Sequence, residues 1–171
     1  LMVASGFHVI TATVIQEKKE QTLPFIMSLP VSPLEFALAK MLANIAIFIV
    51  AWLVVVLGFT FLILSGPIPD GILIFFWLIS LYVVSNYFIV LSVAINTESE
   101  GWSIFTMVFV NIFLNPVIMG LARSPKIYST FETDIIAWSD LASYVVLAEI
   151  AIIIIASLVI LILQSRRTTF I

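Results

Sequence analysis

The amino-acid sequence predicts an all-α, polytopic membrane protein with about five membrane-spanning helices in a single transmembrane domain over residues 1–171. Three observations predict it. Of the 171 residues 63% are hydrophobic and 10% charged, with a mean hydropathy of +1.25, whereas soluble chains are roughly 45–50% apolar and about 25% charged. Such a chain cannot cover its surface with polar groups in water. The apolar residues also fall in runs long enough to cross a hydrocarbon core, which takes about 20 residues per helix. Finally, charges and Pro/Gly clusters are confined to the intervals between runs. Where there is no water every backbone N–H and C=O needs an internal partner, so continuous runs of this kind are helices.

The first run, 2–15, is uncharged but shorter than the roughly 17 residues a crossing helix needs, and reads as the tail of a helix. The others, 41–64, 71–95, 102–122 and 141–163, are all long enough. Lys18, Lys19, Lys40, Arg166 and Arg167 fall on one side of these spans and Arg123 and Lys126 on the other. The positive-inside rule therefore places the 16–40 segment and the C-terminus in the cytoplasm. Gly66-Pro67-Ile68-Pro69-Asp70-Gly71 ends one helix and starts the next, since proline cannot donate to a helix and glycine supplies the turn. This predicts an antiparallel hairpin closed on the outer side. In the longer outer connection, 123–140, Ile127, Phe131, Ile135 and Trp138 recur at helical spacing, which predicts an amphipathic piece lying in the lipid interface. Asn115-Pro116 should kink or end the fourth span, because Pro116 leaves a backbone carbonyl without its donor.

Several functions are excluded at this level. The chain has no cysteine, so it offers no disulfide, thiolate metal site or cysteine nucleophile. A net charge of −3 and a pI near 4.9 provide no basic surface for nucleic acid. A single histidine, with no Gly-x-Ser-x-Gly or His-Glu-x-x-His pattern, leaves nothing from which to assemble a catalytic centre, and the chain by itself is not expected to be an enzyme.

The polar residues inside the spans are candidates for a translocation path or for helix packing. Glu149 is the one acid well inside a span, where a carboxylate is turned inward or paired. His8, near Ser5, Thr11 and Thr13, is expected to hydrogen-bond between helices. Asn44, Asn86, Asn111 and Asn115 are amides of the type that bonds helices together at about 1 kcal/mol each.

The segment between the first and second spans is the most patterned. Thr22 can cap a short helix with Pro24 in its first turn, Leu23, Ile26 and Met27 share a face, and Pro30 and Pro33 stop it. Ser32 or Pro33 then starts the next helix, with Glu35 in the first turn, where negative charge is favoured. The short apolar face suits either a groove on a partner or the lipid interface.

In the order Glu17, Lys18, Lys19, Thr22, Leu23, Pro30, Val31, Ser32, Glu35 and Lys40, this segment resembles the cytoplasmic loop of ATP-binding cassette (ABC) transporter permeases of the type-2 export class. There a Glu with basic neighbours precedes Gly-Thr-Leu, an amphipathic turn, Pro-Val-Ser, and an acid and a Lys that open a long membrane helix. Gln21 stands where the family usually has Gly. The resemblance implies a coupling loop over 17–33. Leu23, Phe25, Ile26 and Met27 would fill a cleft on a separate ATPase subunit, Glu17, Lys18, Lys19 and Glu20 would make rim contacts, and Thr22 and Pro30 would bound the helix. It further implies a second permease half, contact with membrane lipid, location in the cell membrane of a prokaryote, and export by alternating access. No cofactor is expected in this chain: it has no Gly-rich loop ending in Gly-Lys-Ser or Gly-Lys-Thr, so ATP and Mg would sit on the partner. Family members usually have six helices, which makes a chain lacking its first helix and part of the second the expectation. The rival reading of the same residues is a secondary transporter or channel that needs no ATPase.

Overall fold

A computed structural model describes residues 6, 8–15 and 32–166 of the chain. The segment from Glu17 to Pro30, with the short helix expected at Thr22, lies outside the described residues. Among those described, the ordered elements are helical: a π-helical turn Thr11–Ile15, then α1 (Pro33–Ser65), α2 (Ile72–Thr97), α3 (Glu100–Ile112), α4 (Leu114–Arg123), α5 (Pro125–Tyr128) and α6 (Asp140–Ser165). Four stretches, with α3 and α4 counted together, are long and apolar enough to cross a membrane. They identify the chain as a polytopic helical membrane protein. The first expected span is described only at residues 6 and 8–15, of which Thr11–Ile15 form a π-helical turn.

α1 begins where its sequence signals place it. The Ser32 hydroxyl accepts from the Glu35 N–H (3.3 Å), and the Glu35 carboxylate accepts from the Ser32 N–H (2.8 Å). This reciprocal capping box satisfies two backbone donors that a helix start leaves free, and Pro33 occupies the first turn, where its missing N–H costs nothing. α1 therefore starts about two turns before the apolar run itself. It ends at the Gly66–Gly71 turn, from which α2 returns antiparallel. Three contacts fix the hairpin: the Trp77 indole donates to Thr60 Oγ1 (3.0 Å), that of Trp52 to the Ser80 carbonyl (3.1 Å), and the Tyr87 hydroxyl to the Asn44 carbonyl (2.9 Å). Phe48 stacks on Tyr87 with ring centroids 3.7 Å apart.

α2 is the centre of the bundle. Its most apolar window is 67% buried, against 11% for α1, 11% for α3 with α4, and 17% for α6. α1 accordingly presents Val54, Leu57 and Phe61 outward, each more than 60% exposed. Apolar surface on that scale belongs against lipid. α6 lies parallel to α2: Ala142 packs with Ile74 and Leu78 at one end, and the Gln164 amide donates to the Ile95 carbonyl and Asn96 Oδ1 (both 3.2 Å) at the other. The buried face of α6 runs through Ala142, Glu149, Ala156, Ile160 and Gln164. Small residues at two of these positions let the helix backbones approach closely.

Two expectations about the fourth span and the loop after it are refined. The helix does break before Pro116, at Phe113, but helix resumes at once, with the Val117 N–H bonded to the Phe113 carbonyl (3.0 Å). The break sits there because proline has no N–H to offer the carbonyl four residues earlier. The 123–140 connection is not one amphipathic helix. Between α4 and α6 only Pro125–Tyr128 is helical. Ile127 is buried and Phe131 packs with it against α2, whereas Ile135 and Trp138 are exposed. Threonine hydroxyls draw the backbone into turns instead, as such side chains do when they compete with helix bonds. Thr130 donates to the Ile127 and Gly71 carbonyls (2.7 and 3.0 Å), and Thr133 to the Thr130 carbonyl (2.9 Å). The Gly71 N–H completes the lock on the Thr133 carbonyl (2.9 Å). Gly71 is therefore needed for more than the turn: a Cβ there would stand 2.0 Å from the Thr130 carbonyl oxygen.

Candidate functional site: an amide-lined cleft and a buried carboxylate

A small cleft of about 20 Å³, room for about one water molecule, opens between the segment carrying the π turn, α1, α2 and α3. Phe48, Tyr87 and Met107 form much of its wall, with Ile10 on one side; Asn86 and Asn111 also line it, but almost all of the surface they and their neighbours present is apolar. The helix register produces this pairing. The Tyr82 hydroxyl donates to the Val110 carbonyl (3.3 Å), between antiparallel α2 and α3, which places Asn86 about 7–8 Å from the level of Asn111.

The two amides differ in what they have left to offer. Asn111 donates from Nδ2 to the Met107 carbonyl one turn back (2.7 Å), and its Oδ1 is left as an acceptor. Asn86 is only 7% exposed, and among the described residues no group hydrogen-bonds to its amide. Asn44, of the same residue type, shows the opposite case. It is fully buried, its Nδ2 donates to the Lys40 carbonyl (2.9 Å), and its Oδ1 accepts from Thr13 Oγ1 (2.9 Å). The Thr13 hydroxyl shares its one proton between Asn44 and the Val9 carbonyl (2.8 Å). Asn44 thus ties three segments together, since its own carbonyl also accepts from Tyr87.

Glu149 lies apart from this cleft, on the face of α6 that meets α2. It is 4% exposed, and both carboxylate oxygens lack a hydrogen-bond partner among the described residues. On its helix it falls between the cluster of Ala142 and Val146 and that of Ile153, Ala156 and Ile160.

Of the path candidates named from sequence, only Asn111 reaches the cleft. Asn115 and His8 are exposed. The inter-helix bond expected of His8 is made by Thr13. Glu17, Lys18, Lys19, Glu20, Thr22, Leu23, Phe25, Ile26, Met27 and Pro30 lie outside the described residues. In sequence Asn86 reads as a helix-binding amide, and nothing in its local sequence separates it from Asn44. Its distinguishing feature is a neighbourhood assembled from other helices. Among the described residues no three His, Cys, Asp or Glu side chains converge to hold a metal. No protein-family model, no curated protein and no solved structure matches the chain.

Proposed function

We propose that the chain is the membrane-spanning subunit of an ATP-driven exporter of the type-2 ABC class. The carrying observation is the ordered pattern from Glu17 to Lys40, placed immediately before a long membrane helix. The described part supports the reading in two ways. The helix following Pro30-Val31-Ser32 opens with a capping box in which Glu35 is the acid. The segment entering the loop is also tied to the helix leaving it through the Thr13 to Asn44 hydrogen bond.

In this reading ATP and Mg are bound by a partner subunit, and closure of that subunit displaces the 17–33 loop. Thr13 and Asn44 make the two flanking segments move together. Asn44 and Phe48, through Tyr87, pass the displacement to the central helix α2. Two such permease halves would alternate access to a path between them. The test is purification of the full-length protein from its native membranes in mild detergent. A Walker-motif ATPase should accompany it in about equal amount, and Ile26→Asp should abolish that association while leaving membrane insertion intact, because it would bury a charge in an apolar cleft. A permease that purifies without an ATPase while keeping its own dimer overturns the proposal.

One observation favours a second reading, an ATPase-independent secondary transporter or channel: the Glu149 carboxylate inside a spanning helix, without a hydrogen-bond partner among the described residues, is of the kind found in proton-coupled carriers. Transport by the protein purified alone, lost in Glu149→Gln, would select it.

A further inference from the structure

We propose that Glu149 is a proton-binding site: it holds its proton on the closed seam between α6 and α2 and exchanges it when the Asp140 end of that seam parts. Glu149 is 4% exposed, and both of its carboxyl oxygens lack a hydrogen-bond partner among the described residues. A charge in such a place needs a counter-charge or donors, and without them the group is kept neutral. The helix register shows what faces it. Ala142, which packs with Ile74 and Leu78, lies seven residues before Glu149, and α2 and α6 run parallel, so Glu149 falls at the level of Leu81 to Ser85. α2 carries no Asp, Glu, Lys, Arg or His. The Tyr82 hydroxyl gives its proton to the Val110 carbonyl, that of Tyr87 to the Asn44 carbonyl, and that of Ser85 to the Tyr82 carbonyl. Ser85 Oγ, its proton committed, has only lone pairs to offer, which suit a protonated carboxyl and not a charged one. The charged residues of α1 are Glu35 and Lys40. Both lie toward the Ser165 end of the seam, Lys40 a turn beyond the Asn44 to Tyr87 contact and roughly 12 Å along the axis from the level of Glu149. At the Asp140 end, Arg123 and Lys126 flank Leu121 and Ile127, which pack in the cluster around Ala142.

Helix packing does not account for this group. Buried polar side chains that join helices here are bonded, Asn44 to Lys40 and Thr13, and Gln164 to Ile95 and Asn96. Glu149 joins nothing. Among the described residues no three His, Cys, Asp or Glu side chains converge on a metal, and a proton is the cation that a lone carboxyl holds without further ligands. Distance sets its route. Glu149 lies about 14 Å from the Asp140 end of α6 and about 24 Å from the Ser165 end. On the shorter side the seam is closed by an apolar plug, in which Ala142, Val145 and Val146 pack with Ile74 and Leu78. The inference rests on neither reading of the function, because a proton bound here serves an ATPase-driven permease and an independent carrier alike.

The test is infrared spectroscopy of the full chain near neutral pH in nanodiscs of ether-linked lipid, whose lack of ester carbonyls leaves the carboxylic-acid region clear. The band of a protonated carboxylic acid should be present, and Glu149→Gln should remove it. Labelling with 13C-glutamate should shift the band and 13C-aspartate should not, which keeps the assignment testable if Glu149→Gln fails to fold. Transfer to heavy water should shift the band in the folded protein. Leu78→Ala, which thins the plug, should speed that shift at least about ten-fold, because opening then breaks less packing. Val146→Ala is the milder cut in the same plug if Leu78→Ala does not fold. Ile160→Ala, on the other side of Glu149, should leave the rate within about two-fold. Absence of the band would show an ionised, paired carboxylate and overturn the proposal. So would a band that exchanges only on unfolding, equal acceleration by Leu78→Ala and Ile160→Ala, or loss of the band on adding sodium at constant pH, which would assign the site to a metal cation.

Discussion

Replacing Glu149 by leucine should make the protein more stable. Both carboxylate oxygens are buried without a hydrogen-bond partner among the described residues, and each unmet polar atom costs about 1–3 kcal/mol. Leucine has a similar volume and reach, so it keeps the contact with α2 and leaves little cavity, which limits the packing cost to about 1 kcal/mol. The balance is a gain of about 2 kcal/mol. Glu149→Gln, which retains two unpaired polar atoms, should change stability by less than about 1 kcal/mol. Gln164, on the same buried face of α6, is the internal control with opposite sign. It donates to the Ile95 carbonyl and Asn96 Oδ1, so Gln164→Leu should cost about 1 kcal/mol. The assay is reversible unfolding in mixed micelles by increasing SDS fraction, followed by tryptophan fluorescence. A loss of 1 kcal/mol or more in Glu149→Leu would refute the reasoning, because it would mean that the carboxyl group makes a stabilising bond in the folded protein. A stabilised but transport-inactive Glu149→Leu would instead mark the carboxylate as retained for function at the expense of stability.

Gly71→Ala should destabilise by about 2 kcal/mol, since its Cβ would meet the Thr130 and Thr133 carbonyls and break two hydrogen bonds that anchor the 123–140 loop. Proteolysis of that loop at native conditions should accelerate in parallel, and unchanged cleavage would contradict the close approach. Ser32→Ala should cost about 1 kcal/mol by removing the α1 cap, visible as faster amide exchange confined to the first turn of α1. Tyr87→Phe keeps the stack on Phe48 but loses the bond to the Asn44 carbonyl, and should cost about 1 kcal/mol. An equal loss in Tyr87→Leu would show that the stacked rings contribute nothing.

The chain's elements are legible in its sequence because each is set by local chemistry. The four long helices follow from the apolar runs, the hairpin from Gly66 to Gly71, the start of α1 from Ser32, Pro33 and Glu35, and the break at Phe113 from Pro116. Part of the candidate site is legible too: Glu149 and Asn111 stand out as polar groups in apolar runs. The apolar spacing of the 123–140 loop is helical, yet its threonines bond their own backbone and Gly71. That outcome depends on a distant glycine being close.

What the sequence by itself determined is therefore membrane residence, the helices and their order, and the ordered pattern in the Glu17 to Lys40 segment. The tertiary structure decided that α2 is central, that α6 runs beside it with Glu149 on the shared seam, and that Asn44 is satisfied while Asn86 enters a cleft. The physical reason lies in the solvent. Lipid and protein interior are about equally apolar, so α1, α2 and α6 are hydrophobic around their whole circumference, and the periodicity that reveals a buried face in water carries no such information here.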